Sequence, residues 1–496
     1  MSTAAQLAAV RPSLRQLTWQ AMEFYGFVHV GMNTMTDREW GPGHDDPALF
    51  DPAALDADQW VSALRSAGMT GVILTAKHHD GFCLWPSDVT TYTVAASPWH
   101  RDLVREVSDA ARRHGLKFGV YLSPWDRTEA SYGSGTAYDD FYVAQLTELL
   151  TRYGPIFTVW LDGANGEGPD GRRQVYDWAR YYAVVRTLQP DAVINVCGPD
   201  VRWCGNEAGA TRPDEWSVVP RALQDAEGIA DKSQKADDGT FSRLVRTDAD
   251  DLGSRAALAD YDGELVWYPA EVNTSIRPGW FHHPAEDDAV RSADELFTIW
   301  QRSVGGNSTF LLNVPPARDG LFHKNDVAVL EELGRRIADF RARRLTGQTV
   351  WVSSGAVGDA DVAWPRRGET PWRPEPDDRS PSVTIHFGET ASVEAVVIGE
   401  HIAEGQRIEH LVVSGLRDGE WVWLGRAHAV GYQRIVTFPA CALEAVKVQI
   451  FESRDVPVVS RVAAIGAAHA PVPARMRGPA HPGGPARAGG SPRAER

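Results

Sequence analysis

The feature that most constrains the fold is a repeated alternation of short apolar runs with longer amphipathic segments between residues 27 and 314. The apolar runs are rich in β-branched and aromatic residues, which is typical of strands buried on both faces of a parallel sheet. They predict strands at 27–33, 71–76, 117–123, 156–161, 192–196, 215–218, 264–266 and 310–314. The amphipathic segments predict helices at 56–68, 101–115, 138–153, 174–188 and 293–304. Alternation of this kind predicts an α/β fold with a (β/α)8-like barrel.

A change of pattern after residue 344 predicts a second domain. Strand-like runs recur there with turn residues between them, and no segment has convincing helical periodicity. We therefore expect a barrel over 1–344 and a C-terminal β-sandwich over 345–466. Residues 467–496 are rich in Pro, Arg, Gly and Ala and are predicted to form a disordered tail. The polar stretch 219–260 is predicted to be a long loop or insertion.

Charge and composition limit the classes of partner. The chain carries 50 Lys and Arg against 66 Asp and Glu, a net charge of −16, so we expect neither nucleic acid nor a membrane as partner. No apolar run approaches the roughly 18 residues that span a bilayer. Cys83, Cys197, Cys204 and Cys441 lack CxxC spacing, which predicts free thiols and no zinc site. The N-terminus shows no secretory signal, so we expect a cytoplasmic protein. Nothing in the sequence specifies an oligomeric state.

An acid stands where the central apolar run ends. Residues 156–161 read IFTVWL, and Asp162 and Gly163 follow directly. Barrel enzymes place catalytic groups at the carboxyl ends of their strands, and Asp162 is in such a position. Asp-Gly is also a common turn pair, so a simple capping role for Asp162 stays open at this point.

Other polar and aromatic residues follow the predicted strands and would share the same barrel mouth. They are His29, His78, His79, Tyr121, Trp160 and Glu271, together with the loop 202–209 that contains Glu207. The cluster at 77–82 could bind a metal, bind sugar hydroxyls or form a structural network. Adjacent histidines on a strand point to opposite faces, which disfavours joint chelation by His78 and His79. Glu207 is either a solvated loop charge or a mobile acid.

Two carboxylates at one barrel mouth, with aromatics and histidines around them, are the groups that a retaining glycosidase uses. One carboxylate attacks the anomeric carbon, and the other protonates the leaving oxygen and later activates water, at a separation of about 5–5.5 Å. The acid must keep its proton near neutral pH, which apolar surroundings favour. Neutral histidines would bind sugar hydroxyls, and tryptophan faces would stack on the sugar.

Many motifs in one order resemble the α-L-fucosidases of glycoside hydrolase family 29. They are FVHVGMNT, EWG, GVILTAKHHDGFCLW, RDLV, YLSPW, VWLDGANGEG, RWCGNEAG, PAEVNTSIRPGWFHH and GGNSTFLLNVPP, and they cover roughly residues 20–340. The resemblance implies a retaining exo-α-L-fucosidase without a cofactor or metal, in which Asp162 is the nucleophile. The NEAG element resembles the subgroup that prefers α-1,3/1,4-linked fucose on branched, Lewis-type glycans, and it implies that Glu207 is the acid/base.

The same resemblance assigns a fucose pocket and leaves some alternatives. The implied substrate-binding residues are His29, Glu39, Trp40, His78, His79, Tyr121, Trp160, Glu271 and Trp280. Trp280 is expected to be a pocket or core aromatic. Glu271 retains a rival claim to the acid/base role, which would go with broader specificity. The C-terminal domain resembles discoidin-like carbohydrate-binding sandwiches, without an assigned ligand.

Two further hypotheses belong to other classes of function. One is a metal-dependent barrel hydrolase that uses His78, His79 and Asp162. The other is a non-catalytic glycan-binding protein, which would have lost one of its carboxylates, whereas this sequence retains both candidates. The expected partner in the favoured reading is a fucosylated oligosaccharide.

Overall fold

A computed structural model describes residues 4–232, 251–345, 349–356 and 370–468. The α-helices of these residues are α1 (Ala4–Ala9), α2 (Leu14–Gln20), α3 (Met32–Thr36), α4 (Ala57–Ser66), α5 (Leu103–Arg113), α6 (Thr136–Arg152), α7 (Trp178–Leu188), α8 (Ala226–Lys232), α9 (Ala293–Ser303) and α10 (Lys324–Ala342). Side chains close the first turns of several of them, as where Asp56 accepts the Asp58 and Gln59 N–H groups and so starts α4.

The first ten strands belong to the N-terminal part of the chain. They are β1 (Phe24–Val28), β2 (Gly71–Lys77), β3 (Lys117–Leu122), β4 (Ile156–Leu161), β5 (Val193–Val196), β6 (Arg202–Trp203), β7 (Val218–Pro220), β8 (Leu265–Trp267), β9 (Ala270–Ser275) and β10 (Thr309–Asn313). The C-terminal strands are β11 (Thr349–Val352), β12 (Ser382–Glu400), β13 (Ile408–Arg417), β14 (Glu420–Ala427), β15 (Arg434–Ser453) and β16 (Val459–Gly466).

Eight parallel strands form a nearly closed barrel. Their order is β5-β4-β3-β2-β1-β10-β9-β6, and the ring is completed by a single parallel bridge between Asn195 and Val201. Residues of β1, β2 and β10 are buried throughout, as expected of strands covered on both faces. The barrel and the following antiparallel domain confirm the predicted fold class.

The predicted strand boundaries need three corrections. The first strand ends at Val28, and the chain turns into helix α3 at Met32. The predicted strand 215–218 is not in the barrel, because Val218–Pro220 pairs with Leu265–Trp267 in a separate two-stranded antiparallel sheet. The barrel strand at that place in the order is β6, which has only two residues. The predicted strand 264–266 lies in the same small sheet, and β9 follows it into the barrel.

The C-terminal strands form a six-stranded antiparallel sheet with the order β11-β12-β15-β13-β14, and β16 also pairs with β12. Strands β12 and β15 are long, and bulges interrupt their shared register, for example between His386 and Ala391. The first half of β12 contributes Val383 to the same buried apolar cluster that receives Val396 from its second half. The two halves therefore cover one core, as in a sandwich.

The barrel and the C-terminal module are packed together. Ala395, Val397, Ala463 and Ile465 of the module belong to the apolar cluster of the barrel. Polar contacts join them as well, since Asn307 Oδ1 accepts the Tyr432 N–H at 2.8 Å.

Some predictions concern residues beyond the described ranges. The predicted tail falls on residues 469–496 almost entirely, and these lie outside the described residues, as do 233–250 of the predicted insertion. The domain boundary at 344/345 stays a prediction. Across the ranges that the structure describes, no helix has the length and apolar character needed to cross a bilayer.

Candidate active site

A cavity opens at the carboxyl ends of the barrel strands. The space between its walls, which is open to solvent on one side, is about 600 Å³. Its lining is aromatic, with imidazole and carboxylate groups among the rings. The lining residues are Phe27, His29, Trp40, His78, His79, Tyr121, Trp160, Asp162, Ala164, Val196, Trp203, Glu207 and Trp280.

Asp162 follows directly after β4, where the apolar run ends. Its Oδ2 accepts the Tyr121 hydroxyl at 2.8 Å, and its Oδ1 accepts the Ala164 N–H at 2.7 Å. Burial raises the pKa of Asp162, while these hydrogen bonds act against the rise. The carboxylate is thus fixed in orientation by donors on both oxygens and is held at the wall of the cavity.

The histidines of the cavity are neutral at physiological pH. Burial lowers the pKa of His29 to about 3. Burial also holds the pKa of His78 and His79 well below the ordinary value, and the positive charge of Arg127 adds to the effect. Neutral imidazoles have one donor and one acceptor nitrogen each, so they suit a ligand made of hydroxyl groups.

The tautomer of His79 follows from its neighbour Ser123. The Ser123 hydroxyl donates its only proton to the Trp125 carbonyl at 2.7 Å. His79 Nδ1, which is 2.8 Å from Ser123 Oγ, must therefore be the donor in that contact. This leaves Nε2 as the acceptor nitrogen of His79, at 4.0 Å from Asp162 Oδ2.

His29 and His78 are oriented by asparagines. Asn313 uses its amide N–H to bind the Trp280 carbonyl at 2.8 Å, so its Oδ1 accepts from His29 Nδ1 at 2.8 Å. Asn33 Nδ2 lies 3.4 Å from His78 Nδ1 and makes that nitrogen the acceptor. A ligand would therefore meet an acceptor at His29 Nε2 and a donor at His78 Nε2.

Glu207 lies on a short loop after β6. Asn206 organises this loop, because its Oδ1 accepts the N–H groups of Ala208 at 3.1 Å and Ala210 at 3.0 Å. Arg212 Nη1 donates to the Cys204 carbonyl at 2.7 Å and holds the start of the loop. Glu207 is half-buried, and it is presented to the cavity from the side of β6.

Glu271 does not line the cavity. It is 1% exposed and lies in the barrel interior, where its carboxylate accepts from the Tyr25 hydroxyl, from Trp160 Nε1 at 2.9 Å and from Asn195 Nδ2 at 2.7 Å. Burial raises its pKa to about 7, and the three hydrogen bonds oppose this. Glu271 holds Trp160 in place from behind the cavity wall.

Glu39 also lies behind the wall. Its carboxylate accepts the backbone N–H groups of Trp280 at 2.9 Å and Phe281 at 3.0 Å, and His283 Nε2 is 2.8 Å away. A Cβ at position 279 would collide with Glu39, so the close approach requires Gly279. Glu39 therefore positions the Trp280 ring, which itself lines the cavity.

Nine of the eleven predicted site residues thus line one cavity, and Glu39 and Glu271 do not. The expectation that His78 and His79 face apart is wrong. Strand β2 ends at Lys77, so the strand alternation no longer applies, and their ring centroids are 4.1 Å apart. Phe27, Ala164, Val196 and Trp203 complete the lining without having been predicted as site residues.

The described part of the chain contains neither an arranged set of metal-ligating side chains nor a reactive thiol beside the cavity. Within those ranges no group of three or more His, Cys, Asp or Glu side chains is arranged to hold a metal ion. All four cysteines are free, and Cys204 is buried beside the Glu207 loop. Burial raises the pKa of Cys204 to about 11, so its thiol is protonated and unreactive at neutral pH.

Comparison with known proteins agrees with this geometry. Residues 18–339 match the sequence profile of the family described as Alpha-L-fucosidase. The chain belongs to the α-L-fucosidase family. A protein of Oryza sativa subsp. japonica is 39% identical over 90% of this chain and 84% of its own length. Alpha-L-fucosidase 1 of Arabidopsis thaliana is 37% identical over 90% of this chain and 86% of its own length.

Solved structures of α-L-fucosidase family members share the whole architecture. A crystal structure from Bacteroides ovatus has a TM-score of 0.80 and 42% identity, and covers 94% of this chain and 76% of its own. The Ruminococcus gnavus GH29 fucosidase in complex with fucose has a TM-score of 0.78 and 27% identity. The match covers 93% of this chain and 96% of the Ruminococcus gnavus chain. This fucosidase is therefore a glycoside hydrolase of family 29.

Proposed function

We propose that this α-L-fucosidase is a retaining, exo-acting enzyme that removes α-1,3/1,4-linked fucose from branched oligosaccharides. Asp162 attacks the anomeric carbon and forms a fucosyl-enzyme. Glu207 gives its proton to the leaving oxygen, and then takes one from the water that hydrolyses the intermediate. The fucose is held by His29, His78 and His79.

One observation carries the assignment of the two carboxylates. Asp162 and Glu207 are the only acidic side chains among the described residues that line the cavity. They come from different strand ends, β4 and β6, and both line the same cavity. The hydrogen bond from Tyr121 favours the ionised form of Asp162, as a nucleophile requires.

The contacts of Glu271 argue against the rival acid/base. Its two oxygens already accept three hydrogen bonds from protein donors. A general acid must reach the leaving oxygen within about 2.6–3.2 Å, and Glu271 is separated from the cavity by Trp160. We assign Glu271 a positioning role.

Two observations support the substrate part of the proposal. The site is a cavity rather than a groove, which suits the terminal sugar of a glycan, and the Ruminococcus gnavus relative has been solved in complex with fucose. The linkage preference rests on the resemblance of the loop 206–209 to the subgroup that cleaves branched glycans. Glu207 and its neighbours would then contact the sugar that carries the fucose.

The stereochemistry of azide rescue tests the two roles. Asp162→Gly with azide should give the inverted β-fucosyl azide, because azide replaces the nucleophile. Glu207→Ala with azide should give the α-azide from an aryl α-L-fucoside, because azide attacks the fucosyl-enzyme without needing a base. Glu271→Gln is the matched control and should show no rescue. Rescue of the Glu271 variant with an α-azide would overturn the assignment.

A substrate panel tests the linkage. The enzyme is compared on a Lewis-type trisaccharide, on 2′-fucosyllactose and on an aryl α-L-fucoside. We expect the highest kcat/KM among the natural linkages for the trisaccharide. Faster cleavage of 2′-fucosyllactose would contradict the linkage preference and leave the fucosidase activity intact.

A further inference from the structure

The C-terminal module has an open sheet face with exposed aromatic side chains. Trp351, Trp421, Trp423 and Phe451 are 61%, 42%, 67% and 49% exposed, and all four belong to the six-stranded sheet. The alternate residues of these strands point the other way and form the buried core of the module. Several large aromatic side chains exposed on one sheet face make that face a candidate binding surface.

The strand register arranges this face in rows. Directly opposed residues of an antiparallel sheet point to the same face. The central row crosses five strands and consists of Trp351, Thr384, Lys447, Ser414 and Trp423. One neighbouring row contains His386 and Trp421, and the other contains Gln449 and Arg426. We call these three rows the aromatic face.

The charge of the aromatic face differs from that of the whole chain. Lys447 and Arg426 are its charged side chains, and the three described rows contain no acid, although the chain has a net charge of −16. Lys447 Nζ lies 4.5 Å from the centroid of the Trp421 ring. Lys447 therefore lies among the aromatic rings of this face.

The spacing of the indoles limits the size of the occupant. Trp351 and Trp423 lie on the first and last strands of the central row, about 19 Å apart at the usual spacing of neighbouring strands. The hydroxyls of Thr384 and Ser414 lie between them. A ligand that contacts both indoles must be a chain of several units. Some units need a flat apolar face to stack on the indoles, and the units between them need hydrogen-bonding groups.

We propose that the aromatic face binds an anionic oligosaccharide. The indoles of Trp351 and Trp423 stack on sugar rings, while Lys447 and Arg426 bind carboxylate or sulfate groups of the chain. None of these residues lines the catalytic cavity, so the site is a second one, and it does not depend on the assignment of Asp162 and Glu207. It would hold the enzyme on acidic polysaccharide.

Affinity electrophoresis of the full chain tests the proposal. Native gels contain heparin, polygalacturonate or neutral hydroxyethylcellulose, so that sulfate, carboxylate and uncharged polysaccharides are separate arms. We expect retardation in at least one acidic gel and none in the neutral gel. Trp423→Ala and Trp351→Ala should each weaken the interaction roughly two- to tenfold, and Lys447→Gln should weaken it as well. Lys117→Gln, an exposed charge change on the barrel, is the control and should bind normally.

Hydrolysis of an aryl α-L-fucoside shows that each variant is folded, and it should be unchanged because no altered residue touches the cavity. Equal retardation of the wild type and a Trp351→Ala/Trp423→Ala variant would overturn the proposal, as would binding to the neutral polysaccharide alone or to none of the three. Sedimentation of the wild type as a dimer that the double variant dissociates would assign the face to a second copy instead.

Discussion

Tyr121 controls how readily Asp162 takes up a proton. Its hydroxyl donates to Oδ2 at 2.8 Å and stabilises the carboxylate. In Tyr121→Phe the pKa of Asp162 should rise, by up to about one unit for a hydrogen bond worth about 1 kcal/mol. A nucleophile must be ionised, so the acid limb of the kcat/KM profile should move to higher pH. Tyr138→Phe, which loses a hydrogen bond to the Pro124 carbonyl instead, should leave the limb in place.

Ser123 fixes which nitrogen of His79 faces the ligand. Ser123→Ala removes the acceptor of the Nδ1 proton, and the ring is then free to adopt the other tautomer. The substrate would lose one oriented hydrogen bond, so KM and the inhibition constant of free fucose should rise about fivefold, the equivalent of roughly 1 kcal/mol, while kcat changes less. Ser97→Ala, a buried serine that bonds the Val94 carbonyl, is the control. An unchanged KM would show that His79 keeps its orientation without Ser123.

The sequence indicates most of the residues that line the cavity. It does not indicate how their side chains are oriented. Asp162 and Tyr121 were predicted because each stands where a continuous apolar run ends, and the resemblance to a known family added Trp40 and Trp280. The tautomers depend on Ser123, Asn313 and Asn33. Those partners come from other strands and loops, so no local pattern around a histidine indicates them.

At the scale of the element, the loop after β6 determines where the proposed acid stands. Asn206→Ala removes the side chain that closes this loop on Ala208 and Ala210. Glu207 should then be less well placed, and kcat should fall more for a trisaccharide than for an aryl fucoside, whose leaving group needs little acid. Asn206→Asp keeps the side-chain oxygen that accepts these hydrogen bonds, so its kcat should fall less. A uniform loss on both substrates would indicate a folding defect rather than misplacement of Glu207.

The same part of the chain is where strand prediction failed. Strands β2, β3 and β4 are long apolar runs, and the sequence located each of them closely. Strand β6 has two residues, Arg202 and Trp203, and its apolar signal is too short to recognise. Arg202 forms an ion pair with Glu215 at 2.5 Å. This tertiary contact, rather than the strand propensity of the local sequence, holds β6 in place. The run at 215–218 was apolar enough for a barrel strand but pairs outside the barrel.

At the scale of the whole molecule, the barrel and the module should unfold together. Module residues share the barrel's apolar cluster, and the module's Gln406 accepts the Ser217 N–H at 2.8 Å. We expect one calorimetric transition with matching calorimetric and van't Hoff enthalpies. Gln406→Ala should lower the free energy of unfolding by about 1–3 kcal/mol, because a buried donor loses its partner. Two separate transitions would show that the parts are independent.

The hydrogen bonding between neighbouring strands is not uniform around the barrel. Between β5 and the residue that precedes β6 the described chain forms one bridge, Asn195 to Val201. Next to it Val196 adopts a φ of 65°, which is costly for a β-branched residue. Asp162 lies on one side of this joint and Glu207 on the other. The separation of the two cavity carboxylates is therefore set across the least hydrogen-bonded joint of the barrel.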